Sequence, residues 1–201
     1  MSHEIAALLA LAALVALHRA APSARARLAA AVYGTSLLAL FTVSALYHRR
    51  NWAPRARLVW RRLDHSAIFL LIAGTYTPFC LLMGGRIGTV LLAVVWAGAV
   101  AGIAQSIAWP AAPKPLAAIA YVALGWVVLP VVPVLHVELG PWSLALLAAG
   151  GVTYSLGAAV YVLRRPDPFP RVFGYHEVFH AMVTVAAGLH LAVVAKALRA
   201  L

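Results

Sequence analysis

Seven apolar runs crowd into 201 residues, and the stretches between them are too short to hold a water-facing domain. A membrane-spanning helix needs roughly 20 apolar residues, so seven of them consume about 140 positions. The runs cover 4–17, 28–47, 63–83, 87–109, 116–135, 141–163 and 173–198. They are separated by Pro54, Gly84-Gly85, Pro110/Pro113/Pro115, Gly140-Pro141 and Pro166/Pro168/Pro170, all residues that end or turn helices. Composition agrees. Apolar residues make up 64% and charged residues 10%, against about half and a quarter in soluble domains. The expectation is an all-α polytopic membrane protein of the cell (plasma or inner) membrane: one seven-transmembrane helix bundle filling residues 1–201. The first run is short and is followed by Ala20, Ala21, Ser23 and Ala24, which also suits a signal-peptide core; Met1-Ser2-His3-Glu4 lacks the positive start such a peptide needs.

A net charge of +11 would suggest nucleic acid in a soluble protein, but here the cations lie between apolar runs, where they set topology. Nucleic-acid binding is therefore not expected. Connections two, four and six carry ten Lys and Arg, led by Arg49, Arg50, Arg55, Arg57, Arg61 and Arg62, against six on the other side. Basic loops stay in the cytoplasm, which predicts a cytoplasmic N-terminus and an outside C-terminus. The lone Cys80 sits in an apolar run and has no internal disulfide partner.

Ionisable groups at membrane depth are costly and mark function by default, so the few present are informative. Segment two ends Ser44-Ala45-Leu46-Tyr47-His48, whose spacing of four puts Ser44 and His48 on one face. Segment three opens Leu63-Asp64-His65-Ser66, and segment seven opens with His176 and His180, again at i, i+4. That spacing lets two imidazoles from one helix hold a single metal ion. The predicted topology brings Ser44, His48, Asp64, His176 and His180 to nearly one depth in the inner half of the membrane. Three neutral His with an open position is a common catalytic zinc arrangement, and a nearby carboxylate can orient or deprotonate water there.

Each residue also has an ordinary reading. His48 is an interfacial group, Asp64 a helix N-cap, and Ser44 a packing residue bonded to its own helix. Convergence at one depth is what favours a site. His176-Glu177-Val178-Phe179-His180 also matches the zincin pattern, in which Glu is the general base. A basic loop directly before it and the lack of a soluble peptide cleft favour instead a helix N-terminal role for Glu177, facing headgroups or Arg171. His3, His18 and His136 lie near segment ends and are expected at the interface. His65 points about 100° away from Asp64 and is expected to meet headgroups, with an outer-partner role at the site as the rival. His190, about 15 Å along the helix from His180, is expected to make an interhelical hydrogen bond. The Arg residues of connection two are expected to anchor anionic lipid.

Ser44-x-x-x-His48, the stretch Leu63-Asp64-His65-Ser66-Ala67-Ile68-Phe69 to Gly74-Thr75-Tyr76-Thr77-Pro78-Phe79, and His176-Glu177-Val178-Phe179-His180 closely resemble the bacterial hemolysin III branch of the progestin and adipoQ receptor family. The resemblance spans essentially the whole chain. Ser2-His3-Glu4-Ile5 takes the place of a Thr-His-Gly-Ile-like stretch, and the acidic residue and Asn that usually precede it are not in the sequence. The resemblance implies seven helices, an intracellular N-terminus, and Zn2+ held by His48, His176 and His180. It further implies that Asp64 contacts the zinc-bound water and that Ser44 lies beside it. The function to expect is a zinc-dependent hydrolase of lipid amides, acting on a ceramide-like or other acyl-chain membrane lipid in the inner leaflet, with Asp64 and Ser44 catalytic. The rivals are a receptor-like or membrane-homeostasis protein with structural zinc, and a pore-forming cytolysin.

Overall fold

A computed structural model describes residues 2–170 and 172–201, with the side chain of Ser2 left aside. Arg171, counted above among the basic residues, falls outside that range. Among the described residues the chain is helical throughout, in the order α1 (Ser2–Ala20), α2 (Ala24–Arg49), α3 (Pro54–Met83), α4 (Gly85–Ala108), α5 (Lys114–Gly125), a 3-10 stretch (Trp126–Val131), α6 (Val132–Leu163) and α7 (Tyr175–Ala200).

By length and composition six segments can cross a membrane, where seven were expected. The difference lies in 114–163, a 50-residue segment that contains both the fifth and the sixth expected runs. It is not straight. Gly140 has φ 77° and ψ 167°, a conformation open to glycine and closed to most other residues. The indole N–H of Trp126, fourteen residues before Gly140, donates to Ser155 Oγ, fifteen after it, at 2.9 Å. The segment therefore folds back on itself at Gly140, and Lys196 Nζ bonds the Leu139 carbonyl at that turn (2.6 Å).

Helix starts follow local chemistry. Ser23 caps α2 by accepting the Ala26 N–H at 3.0 Å. Pro54 sits in the first turn of α3, where its missing N–H costs nothing. This start corrects an expectation. Segment three was expected to open near Leu63, whereas the Arg-rich stretch 54–62 is already helical, so Asp64 lies in the third turn and caps nothing. At 30 residues α3 is about 45 Å long, longer than the ~30 Å hydrocarbon core, and the surplus lies with its basic first turns.

Close approach of helices relies on small residues, as lipid tails give no hydrophobic drive for association. A Cβ on Gly88 of α4 would strike the Cys80 carbonyl oxygen of α3, and one on Gly74 of α3 would strike Ser36 of α2. The outward faces stay apolar: Ile5, Leu8 and Leu9 on α1 and Val90, Val94 and Val100 on α4 are all exposed, a distribution that water would penalise and acyl chains would not. The switch from α to 3-10 geometry after Gly125 is met by one side chain. Tyr76 of α3 donates its hydroxyl to the Gly125 carbonyl (2.6 Å) and accepts the Val128 N–H (3.0 Å). Tyr76→Phe leaves both backbone groups without that partner, and the expected loss is about 1–3 kcal/mol, read as a lower unfolding midpoint in detergent.

Candidate metal centre

Four helix ends meet at one end of the bundle. The start of α1 lies against the end of α2, where Glu4 pairs with Arg49 (3.1 Å), and α7 begins beside both. His48 comes from the last turn of α2, His176 and His180 from the first turns of α7, Asp64 from α3 and Ser44 from the turn of α2 above His48.

Each of His48, His176 and His180 brings a nitrogen to within 4.8 Å of the other two, a grouping able to hold a metal ion. His180 Nε2 is 2.9 Å from His176 Nε2, which is 3.4 Å from His48 Nε2. Ligands 2.0–2.1 Å from a tetrahedral ion lie about 3.3–3.4 Å from each other; the His176–His48 pair has that spacing, while the His180–His176 pair is closer, at 2.9 Å. Burial is graded across the three, with His180 buried, His176 half-buried and His48 exposed. Asp64 Oδ2 lies 4.0 Å from His48 Nε2. Ser44 is buried, and its Oγ is 2.9 Å from His3 Nδ1.

His3 departs from expectation. Read from sequence as an interfacial group, it is 6% exposed and lies inside the cluster, with Nδ1 2.9 Å from His180 Nδ1 and its ring edge-to-face on Phe41. Alternating spans put the first turn of α1 level with the last turn of α2, but it is the packing of α1 against both α2 and α7 that brings His3 into the cluster. His65, expected at the headgroups, instead lines the cavity described below. His18 and His136 are exposed near helix ends. His190 makes the expected interhelical contact, through Nε2 and the Leu147 carbonyl (3.2 Å). Glu177 Oε2 accepts the Gly174 N–H at 3.0 Å, the reach-back of an acid at a helix start. Its other expected partner, Arg171, is outside the described residues.

A cavity of about 460 Å³ opens from this cluster. His48, Asp64, His176 and His180 line one end, and His190 with Trp126 lines the other. Between them the walls are mostly apolar, built by residues such as Leu40, Ile68, Leu71, Ile72 and Val183. Lys114 Nζ sits 4.4 Å above the Tyr161 ring beside the same space.

A family model described as Haemolysin-III related matches residues 1–191. The chain belongs to the haemolysin III-related family. Hemolysin-3 of Bacillus cereus is 36% identical over 187 residues, covering 91% of this chain and 82% of the relative. The Hemolysin-3 homolog of Bacillus subtilis (strain 168) is 34% identical over 153 residues, or 76% of this chain and 68% of the relative. The human Monocyte to macrophage differentiation factor is 27% identical over 179 residues, covering 87% and 72%. The similarity to the progestin and adipoQ receptor family read from the motifs thus extends to eukaryotic proteins. With six segments apolar and long enough to span, this haemolysin III-related chain is a multi-pass membrane protein.

Proposed function

We propose that this protein is a zinc-dependent hydrolase of lipid amides, acting on a ceramide-like or other acyl-chain lipid drawn from the inner leaflet. The observation that carries the reading is one juxtaposition: three His nitrogens within 4.8 Å, Asp64 4.0 Å from one of them, all at the polar end of an apolar cavity. The topology belongs to the same proposal. The hairpin at Gly140 crosses the membrane twice, giving seven spans, with the N-terminus and the His cluster on the cytoplasmic side where the basic loops lie.

His48, His176 and His180 would hold the ion, and a set of neutral imidazoles suits zinc, although such sets also accept other divalent metals. When bound, zinc polarises the scissile carbonyl and lowers the pKa of water toward about 7. Asp64 takes the proton from the attacking water at Oδ2 and returns it to the leaving amine nitrogen as the C–N bond breaks, yielding a carboxylic acid and an amine. Ser44 offers its hydroxyl to the carbonyl oxygen as negative charge develops there. The apolar walls hold the acyl chain and keep bulk water from the reacting carbon. Purified metal-loaded protein in liposomes, given an N-acyl sphingoid lipid, is expected to release fatty acid; no release at any zinc occupancy overturns the enzymatic reading.

Glu177 has no part in this scheme, since its carboxylate is bonded to the start of its own helix. Glu177→Gln keeps an acceptor oxygen for Gly174 and is expected to leave metal content and hydrolysis unchanged. A tenfold loss of turnover with full metal content makes Glu177 the base and the site a zincin. The relatives' name, Hemolysin-3, supports a second reading as a cytolysin. Dye leakage from liposomes that persists in a His176→Ala/His180→Ala protein favours a pore that needs no metal.

A further inference from the structure

Zinc ligation would account for only one nitrogen of His180. Its Nε2 faces His176, while its Nδ1 lies 2.9 Å from Nδ1 of His3. A neutral imidazole that offers Nε2 to a cation carries its proton on Nδ1, so Nδ1 of His180 is the donor of this pair and Nδ1 of His3 the acceptor. The assignment passes around the second ring. With its Nδ1 accepting, His3 holds its proton on Nε2, which lies 3.4 Å from the backbone carbonyl of His180, an acceptor. Two contacts from one residue thus grip both the ring and the backbone of the same ligand. The rings lie 3.9 Å apart, tilted by 36°.

We infer that His3 is a positioning residue, which fixes the tautomer and ring plane of His180 and so sets how tightly the His48, His176 and His180 group holds its metal. The inference rests on the metal reading proposed above. Outer partners of this kind are worth 10–100-fold in metal affinity where they have been removed from other sites. Ser44 is drawn into the same arrangement, because its Oγ is 2.9 Å from the one lone pair that His180 uses. With that lone pair taken by the His180 N–H, the Ser44 hydroxyl keeps its proton for the cavity.

A purely structural role for His3 is separable, because the ring also packs edge-to-face on Phe41 at 5.1 Å. His3→Phe keeps an aromatic ring there and removes the acceptor. His3→Asn places an amide oxygen about where Nδ1 stands, whereas His3→Gln places it nearer Nε2. Zinc affinity is measured on detergent-purified protein by chelator competition, and the ligand field is read from the visible absorption of the cobalt-substituted protein. The expected result is a 10–100-fold weaker affinity and an altered cobalt spectrum in His3→Phe and His3→Gln, with metal-free melting unchanged and both properties restored in His3→Asn. Wild-type affinity and spectrum in His3→Phe, alongside metal loss in His48→Ala, overturn this inference alone. Equal affinities in His3→Asn and His3→Gln also overturn it, whether or not His3→Phe folds. A wild-type protein that takes up no metal overturns the underlying reading together with this one.

Discussion

Purified His48→Ala protein is expected to contain no stoichiometric metal, where the wild type holds one equivalent. His48 is the only one of the three that α2 contributes, and the two left on α7 lie a single turn apart. Two imidazoles from one helix supply half of a tetrahedral shell, which exchanges readily with water and chelators. The variant should still fold, because His48 is the exposed member of the group. Elemental analysis of both proteins after gel filtration through chelator decides the matter. Equal metal content in the two proteins removes His48 from the site, and no metal in either removes the site altogether.

Asp64→Asn is expected to separate chemistry from binding. The carboxylate is half-buried at the cavity end, 4.0 Å from His48 Nε2, and belongs to none of the metal-grouping His. The amide keeps the shape and can still accept a hydrogen bond, but it cannot take a proton from water at neutral pH. Metal content should match wild type, while fatty-acid release falls by about 10²- to 10⁴-fold, the usual contribution of a general base. Release that survives the change with metal in place removes Asp64 as the general base, whereas a metal-loaded wild type that releases nothing points to a structural zinc and a receptor-like protein. Loss of metal together with activity makes Asp64 a ligand.

Much of this arrangement was legible from sequence, for identifiable reasons. The helical character follows from long apolar runs, because a backbone in lipid has no water to satisfy its polar groups and closes its own hydrogen bonds. Ser44 with His48 and His176 with His180 were readable as same-face pairs because a period of 3.6 is a local property. Two features were hidden. Residues 54–62 look like a cytoplasmic loop by hydropathy, yet five of the nine are Arg or Trp, good membrane-edge helix residues, and Pro54 starts the helix early. His3 looks like a segment-end residue because hydropathy locates it along the chain and says nothing about its neighbours; only the docking of α1 between α2 and α7 buries it. The hairpin at Gly140 shows the opposite case, where Gly140-Pro141 marked the break in sequence and length alone would read one continuous segment.

The order in which the site's parts are made also matters. His3 and His180 lie 177 positions apart in the chain, yet they end beside one another. Helices insert from the N-terminus onward, so α1, α2 and α3 wait in the bilayer with Ser44, His48 and Asp64 facing a gap until α7 arrives. On the metal reading proposed above, capture of the ion would then follow the docking of α7 rather than aid early folding. A chain cut before residue 175 lacks His176 and His180, so on that reading bound metal would report that α7 has joined α2 and α3.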